Sequence, residues 1–221
     1  MGCVSSNLVK QEEELRQQIH MVSLISSSYG LLKLDREEEE EEEEKGRWEA
    51  MFEKICPPKG EKRVVIYTTT LRGVRRTFEA CNAVRAALEG LGVMICERDV
   101  SMDRGFREEL RGLLKGKGKE AIIPPRVFVK GFYIGGADEL LKLMLAHEPL
   151  LRDLLQGLPT KPVGSVCHAC GGFRFFPCFT CYGSCKTLVS HHHHHHHQGT
   201  TLFVKCTRCN ENGLVLCPLC T

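Results

Sequence analysis

The sequence predicts an α/β domain with a mixed sheet, followed by a small cysteine-rich module held together by zinc. Three observations carry this reading. Residues 61–157 alternate strand-like and helix-like runs in the order β-α-β-α-β-β-α. Nine of the 13 cysteines fall between Cys167 and Cys220. Eight of those nine form four Cys-x-x-Cys pairs, set in two 15-residue repeats of identical cysteine spacing, "CHACGGFRFFPCFTC" and "CTRCNENGLVLCPLC".

The α/β region opens with "RVVIYTTT", a β-rich run. "RRTFEACNAVRAALEGLG" follows as a helix, with Phe78, Cys81, Val84, Leu88 and Leu91 on one face and glycine at its end. "VMICERDV" reads as the second strand, and "DRGFREELRGLL" as a second helix opened by Asp103. After a Gly/Lys loop come "RVFVKG" and "FYIGG", two short strands parted at Gly131, and "ADELLKLMLAHEPLLRDLL" closes the region as one helix. Cys81 lies on the apolar helix face and Cys96 alternates inside a strand. Both are expected to be small core residues rather than reactive thiols.

At 221 residues the chain has room for one ordinary domain plus extensions. We divide it into an N-terminal region (1–60), the α/β domain (61–157) and the cysteine-rich module (163–221), with "LPTKPVGS" as hinge. A formal net charge of +2 gives no global field toward nucleic acid. Glu37 to Glu44 is an unbroken acidic run, expected to be solvated. Leu8, Leu15, Ile19 and Val22 fall at the spacing of a short amphipathic helix. No apolar stretch approaches the ~20 residues of a membrane span, and no secretory signal pattern is present. An intracellular setting is therefore expected, which favours metal binding over disulfides for the cysteines. The opening "MGCVSS" places Gly2, Cys3 and Ser6 where myristoylation and palmitoylation want them. Two lipid chains would hold the protein durably at the cytoplasmic face of the plasma membrane, where one chain holds only marginally.

In the tail, two-residue spacing lets both thiolates of a knuckle reach one tetrahedral ion, and two knuckles complete a four-cysteine zinc site. The candidate ligands are Cys167, Cys170, Cys178, Cys181, Cys206, Cys209, Cys217 and Cys220, enough for two zinc ions. Seven residues separate the knuckles within each repeat, and as extended chain they span ~23 Å at ~3.3 Å per residue. Phe173 and Phe175, like Leu214 and Leu216, fit such strands. If the strands pair antiparallel, the first knuckle meets the fourth and the second meets the third; local pairing within each repeat is the alternative. Cys185 is a spare thiol or an alternative ligand, and His191 to His197 reads as a repeat expansion in a tolerant loop. From Lys161 onward five Lys/Arg and one Glu leave a surplus of four positive charges. Two four-thiolate zinc sites would cancel it, so nucleic-acid binding is not expected.

Together, "VVIYTTTLRGVRRTFEAC", "ERDVSMDRGFREEL", "PPRVFVKGFYIGG" and the cysteine tail resemble the plant glutaredoxin-like proteins with a cysteine-rich C-terminus. The animal counterparts are the glutaredoxin domain-containing cysteine-rich proteins. The resemblance covers nearly the whole chain and implies a thioredoxin-like fold. The nested knuckle arrangement is in turn similar to the cysteine-rich zinc domain of DnaJ-type chaperones, over the repeats alone. Active glutaredoxins carry a Cys-Pro-Tyr-Cys-like motif at the first strand–helix turn; here "LRGV", Leu71, Arg72, Gly73 and Val74, stands in its place. No residue there can form a mixed disulfide. The resemblance also implies a glutathione groove. Thr69 stands where a lysine usually pairs with a glutathione carboxylate. Pro124, before the family's cis-proline at Pro125, has no N–H to offer. Gly135, Gly136 and Asp138 match the segment that holds the γ-glutamyl end. Arg72, Arg75 and Arg76 could attract an anion at the helix N-terminus or simply lie on a solvated turn.

The expected function is therefore a membrane-tethered, non-catalytic adaptor, with both domains presenting surfaces to protein partners. A glutathione-dependent thiol-disulfide oxidoreductase is the alternative, and the "LRGV" turn speaks against it. A chaperone-like or redox-responsive zinc module is the third reading.

Overall fold

The computed structural model describes residues 50–191 and 200–220. Gly2, Cys3, the Leu8–Val22 pattern, the acidic run and most of the histidine run lie outside them. From Phe52 onward the chain is one compact unit.

Its centre is a five-stranded sheet, β1 (Glu53–Lys54), β2 (Val64–Thr68), β3 (Ile95–Asp99), β4 (Arg126–Val129) and β5 (Phe132–Gly135), in the order β1-β5-β4-β2-β3. β2 and β3 run parallel, with Val64 opposite Ile95 and Thr68 opposite Asp99. β4 runs antiparallel to both β2 and β5. All five residues of β2 are buried, as expected of a central strand covered on both faces. Among the described residues four longer α-helices accompany the sheet: α1 (Arg75–Gly90), α2 (Arg104–Leu113), α3 (Ala137–Ala146) and α4 (Glu148–Leu155).

Alternation along the strands divides the core. Val65, Tyr67 and Phe128 meet Leu110 and Leu114 from α2 and the residue after it, with Cys96 against the same cluster. Tyr67 and Phe128 pack edge to face, ring centroids 5.6 Å apart. The Arg98 guanidinium crosses the Tyr67 ring and donates to the Tyr67 hydroxyl (2.9 Å) and to Pro58 O (2.6 Å), while Glu109 accepts from Tyr67 and Arg98. The other face takes α1 through Cys81, Val84 and Leu88, all fully buried, and α1 packs on α3. Asp103 caps α2, its carboxylate accepting from the Gly105 N–H at 2.7 Å.

Four elements differ from the sequence expectation. The last helix is broken at His147, because Pro149 lacks the N–H that would bond back to Leu145. Leu91 ends α1 rather than extending its buried face and is 42% exposed; Gly92, at φ +70°, takes the chain out of the helix. Glu53–Lys54, which the sequence reading placed in the N-terminal region, adds the edge strand β1 against β5. In the tail, Lys186–His191 (β7) and Thr200–Lys205 (β8) form an antiparallel hairpin that the sequence reading did not anticipate, with Leu188 opposite Phe203. The histidine run begins at the end of β7.

Candidate metal centres

Each Cys-x-x-Cys knuckle turns its two thiols toward one point, and a short ribbon decides which knuckles meet. Phe175–Pro177 (β6) pairs antiparallel with Leu214–Leu216 (β9), with Phe175 opposite Leu216 and Pro177 opposite Leu214. The ribbon is shorter than the apolar pattern suggests. Phe173 lies outside it and is 82% exposed, because Gly171, Gly172 and Arg174, all at positive φ, carry the chain through a tight turn first. Antiparallel pairing sets the start of one repeat beside the end of the other.

The result is two four-sulfur clusters. Cys167, Cys170, Cys217 and Cys220 form the first centre, and Cys178, Cys181, Cys206 and Cys209 the second, each with its Sγ atoms within 4.8 Å of one another. This is the nested arrangement. Across the repeats Cys167 and Cys217 are 3.9 Å apart, Cys170 and Cys220 3.5 Å, Cys178 and Cys206 3.8 Å, and Cys181 and Cys209 3.6 Å. A tetrahedral ion with zinc–sulfur bonds of ~2.3 Å requires sulfurs about 3.8 Å apart. The donor set therefore fits a tetrahedral thiolate-bound ion: the two clusters could hold metal ions, and four soft sulfurs are consistent with zinc. Every described cysteine is unbridged.

Backbone N–H groups favour the thiolate form at two of these sulfurs. The N–H groups of Cys170 and Ala169 aim at the Cys167 sulfur and hold its pKa at about 6. The repeat reproduces this at Cys178, where the N–H groups of Cys181 and Thr180 outweigh burial and hold it at about 6. Burial, then the neighbouring sulfurs, push Cys209 and Cys220 up. A cation bound by either cluster would therefore displace thiol protons. Cys185 belongs to neither cluster; its sulfur lies 3.5 Å from Glu211 O.

At the first strand–helix turn, Leu71 and Val74 are 66% and 62% exposed, and Arg72 stacks on Phe78 at 5.3 Å. Arg75 pairs with Glu79 along the helix. Thr69 Oγ1 accepts from the Leu71 N–H at 3.1 Å. The register of Tyr67 opposite Arg126 sets Thr69 and Pro124 beyond the same end of the sheet. The Pro124–Pro125 peptide is cis. Gly136 comes close to Pro125 O, and its N–H donates to Glu139 at 2.8 Å, which holds the Glu139 carboxyl below its usual range. Asp138 lies exposed in the first turn of α3. The nearest thiol along the chain, Cys81, is fully buried, and that burial pushes its pKa up.

Sequence reasoning missed the polar residues that join the module to the sheet. Glu97, in edge strand β3, accepts from Thr68 (2.6 Å) and from Arg85 Nε (3.1 Å), and forms an ion pair with Arg174 of the module. Asn210 and Asn212 donate to Met102 O, each at 3.0 Å, and Glu211 accepts from the Arg104 N–H at 2.8 Å. Asp99 fixes the turn beside them, accepting from Thr70 N and Oγ1 and from Ser101 N and Oγ. The only signals in the sequence were charges interrupting apolar runs, "ICERD" and "FRFF".

A parallel–antiparallel α/β sheet with helices on both faces, joined to paired four-cysteine centres, defines a thioredoxin-like protein with a cysteine-rich appendage. Residues 64–134 match the family described as Glutaredoxin, and residues 167–221 match GRXCR1/2, C-terminal domain. An uncharacterized protein of Arabidopsis thaliana is 45% identical over 168 residues, covering 73% of this chain and 43% of its own length. Glutaredoxin domain-containing cysteine-rich protein 1 of Mus musculus is 38% identical over 159 residues, covering 72% of this chain and 52% of its own. Glutaredoxin-C10 of Oryza sativa subsp. japonica is 33% identical over 107 residues, covering 46% of this chain and 94% of its own. The chain belongs to the glutaredoxin family and carries the C-terminal domain of the glutaredoxin domain-containing cysteine-rich proteins. It spans about half the length, or less, of the Arabidopsis and mouse relatives.

Proposed function

We propose that the protein is a membrane-tethered, non-catalytic adaptor in which a glutaredoxin scaffold and a two-zinc module present surfaces to other proteins. The observation that carries this is the pairing of a thiol-free turn at residues 71–74 with full burial of Cys81. A mixed disulfide needs an accessible thiolate, and this turn offers none. Four sulfurs at tetrahedral spacing support a structural role for zinc, which leaves no open coordination position for chemistry. The lipid tether rests on "MGCVSS", and no described helix is long and apolar enough to cross a membrane. We place the protein at the cytoplasmic face of the plasma membrane. Purified protein should show no glutathione-dependent reduction of a small mixed disulfide above a heat-killed control. Sustained turnover would overturn the non-catalytic reading.

A further inference from the structure

We propose that metal at the first centre and docking of the module on edge strand β3 are thermodynamically linked, with Arg174 as the latch. This rests on the reading that the centre holds zinc. Arg174 sits at φ +63°, a left-handed conformation that needs support from its surroundings. Its backbone is held by ligands of that centre: the Arg174 N–H donates to Cys170 Sγ at 3.3 Å, and its carbonyl accepts from the Cys217 N–H at 2.8 Å. One contact comes from each repeat. The side chain then leaves the module and pairs with Glu97, whose own side chain is only 2% exposed. A cleft of about 480 Å³ lies along this seam, lined by Arg85, Glu97, Asp99, Lys161, Cys167 and Arg174 among others.

The contact lies where the sheet is most in need of cover. Among the described residues β3 has a strand on one side only, and an uncovered edge invites pairing with other chains. The hinge meets the start of β3, with Met94 N–H donating to Pro159 O (2.7 Å) and Lys161 N–H to Gly92 O (2.8 Å). Arg174 supplies the buried charge partner further along. Without metal the first knuckle loses its partner knuckle, and Arg174 loses the backbone geometry that aims it at Glu97. Linkage is reciprocal: whatever metal does for docking, docking must do for metal affinity. The polar partners of the Glu97 side chain are Thr68, Arg85 and Arg174 rather than a cysteine of the cluster, yet its removal must loosen the metal at the first centre.

The test uses the full chain reconstituted with zinc. Zinc content of the wild-type protein reads the metal assignment by itself. Release to a competing chelator, followed by mass spectrometry of alkylated cysteines, then assigns each ion to its centre. In Glu97→Gln the first centre should lose zinc about tenfold more readily, within the usual range of coupling between sites, while the second centre is unchanged. Hydrogen exchange of residues 93–99 should rise at least tenfold in Glu97→Gln at saturating zinc and in Cys167→Ser/Cys170→Ser. Cys178→Ser/Cys181→Ser should leave that exchange unaltered. If Glu97→Gln does not fold, Arg174→Lys keeps the charge and removes the planar guanidinium fork, and the same shifts are expected. Two bound zinc ions with unaltered release and exchange in the variants would overturn the linkage alone. Equal loss at both centres would reduce it to general destabilisation, and a wild-type protein without zinc would overturn both readings.

Discussion

The sulfurs of Cys167 and Cys217 lie 3.9 Å apart although the two residues are 50 positions apart in the chain. That proximity comes from the antiparallel β6–β9 ribbon and fixes which cysteines could share an ion. Replacing Cys167 and Cys170 together by serine should cost one zinc per chain and make Cys217 and Cys220 alkylatable. Cys178, Cys181, Cys206 and Cys209 should stay protected. Metal analysis with mass spectrometry of the labelled protein distinguishes this from local pairing, in which Cys178 and Cys181 would be labelled first.

Removing both ions should unfold the module and loosen edge strand β3 while leaving the central strands of the glutaredoxin sheet intact, because ligand geometry and local fold form together. Far-UV circular dichroism should show partial loss, and hydrogen exchange should rise across 163–220. Exchange at β2, whose five residues are all buried, should hold. Loss of protection in β2 at the same chelator concentration would show that the sheet depends on the metal.

Cys81 should resist alkylation in the folded protein at pH 8, because burial both blocks access and pushes its pKa up. In urea it should react like a free thiol. Rapid labelling of Cys81 under native conditions would defeat the assignment of this residue to the core.

Phe128 is 1% exposed and packs edge to face against Tyr67. Phe128→Ala should lower stability by about 3–5 kcal/mol, the usual cost of emptying an aromatic core site. A shifted urea midpoint for the sheet with unchanged zinc content would confirm that this core and the metal centres are separate sources of stability.

Gly2→Ala should move the protein from the membrane fraction to the soluble fraction, and Cys3→Ser should weaken attachment without abolishing it. Unchanged fractionation of the Gly2 variant would sink the two-lipid tether.

The local pattern of the chain determined much of the architecture. The β-rich runs at 63–70 and 93–100, the helix face of Cys81, Val84 and Leu88, and the Asp103 cap are set by contacts a few residues long. Their periodicity is therefore visible in the sequence itself. The eight cysteines that gather into the two clusters were legible for the same reason, since a knuckle is a local device. The partners of each knuckle, the two-residue strand β1, the β7–β8 hairpin and the Glu97–Arg174 pair were decided by tertiary structure. None of these has a periodicity of its own. β1 is too short to alternate, the hairpin is exposed on many of its apolar residues, and an ion pair 77 residues apart in sequence exists only once the module has docked. Short-range sterics and spacing act on the unfolded chain as they do on the folded one, whereas a buried carboxylate acquires its partners only after the surfaces around it have excluded water.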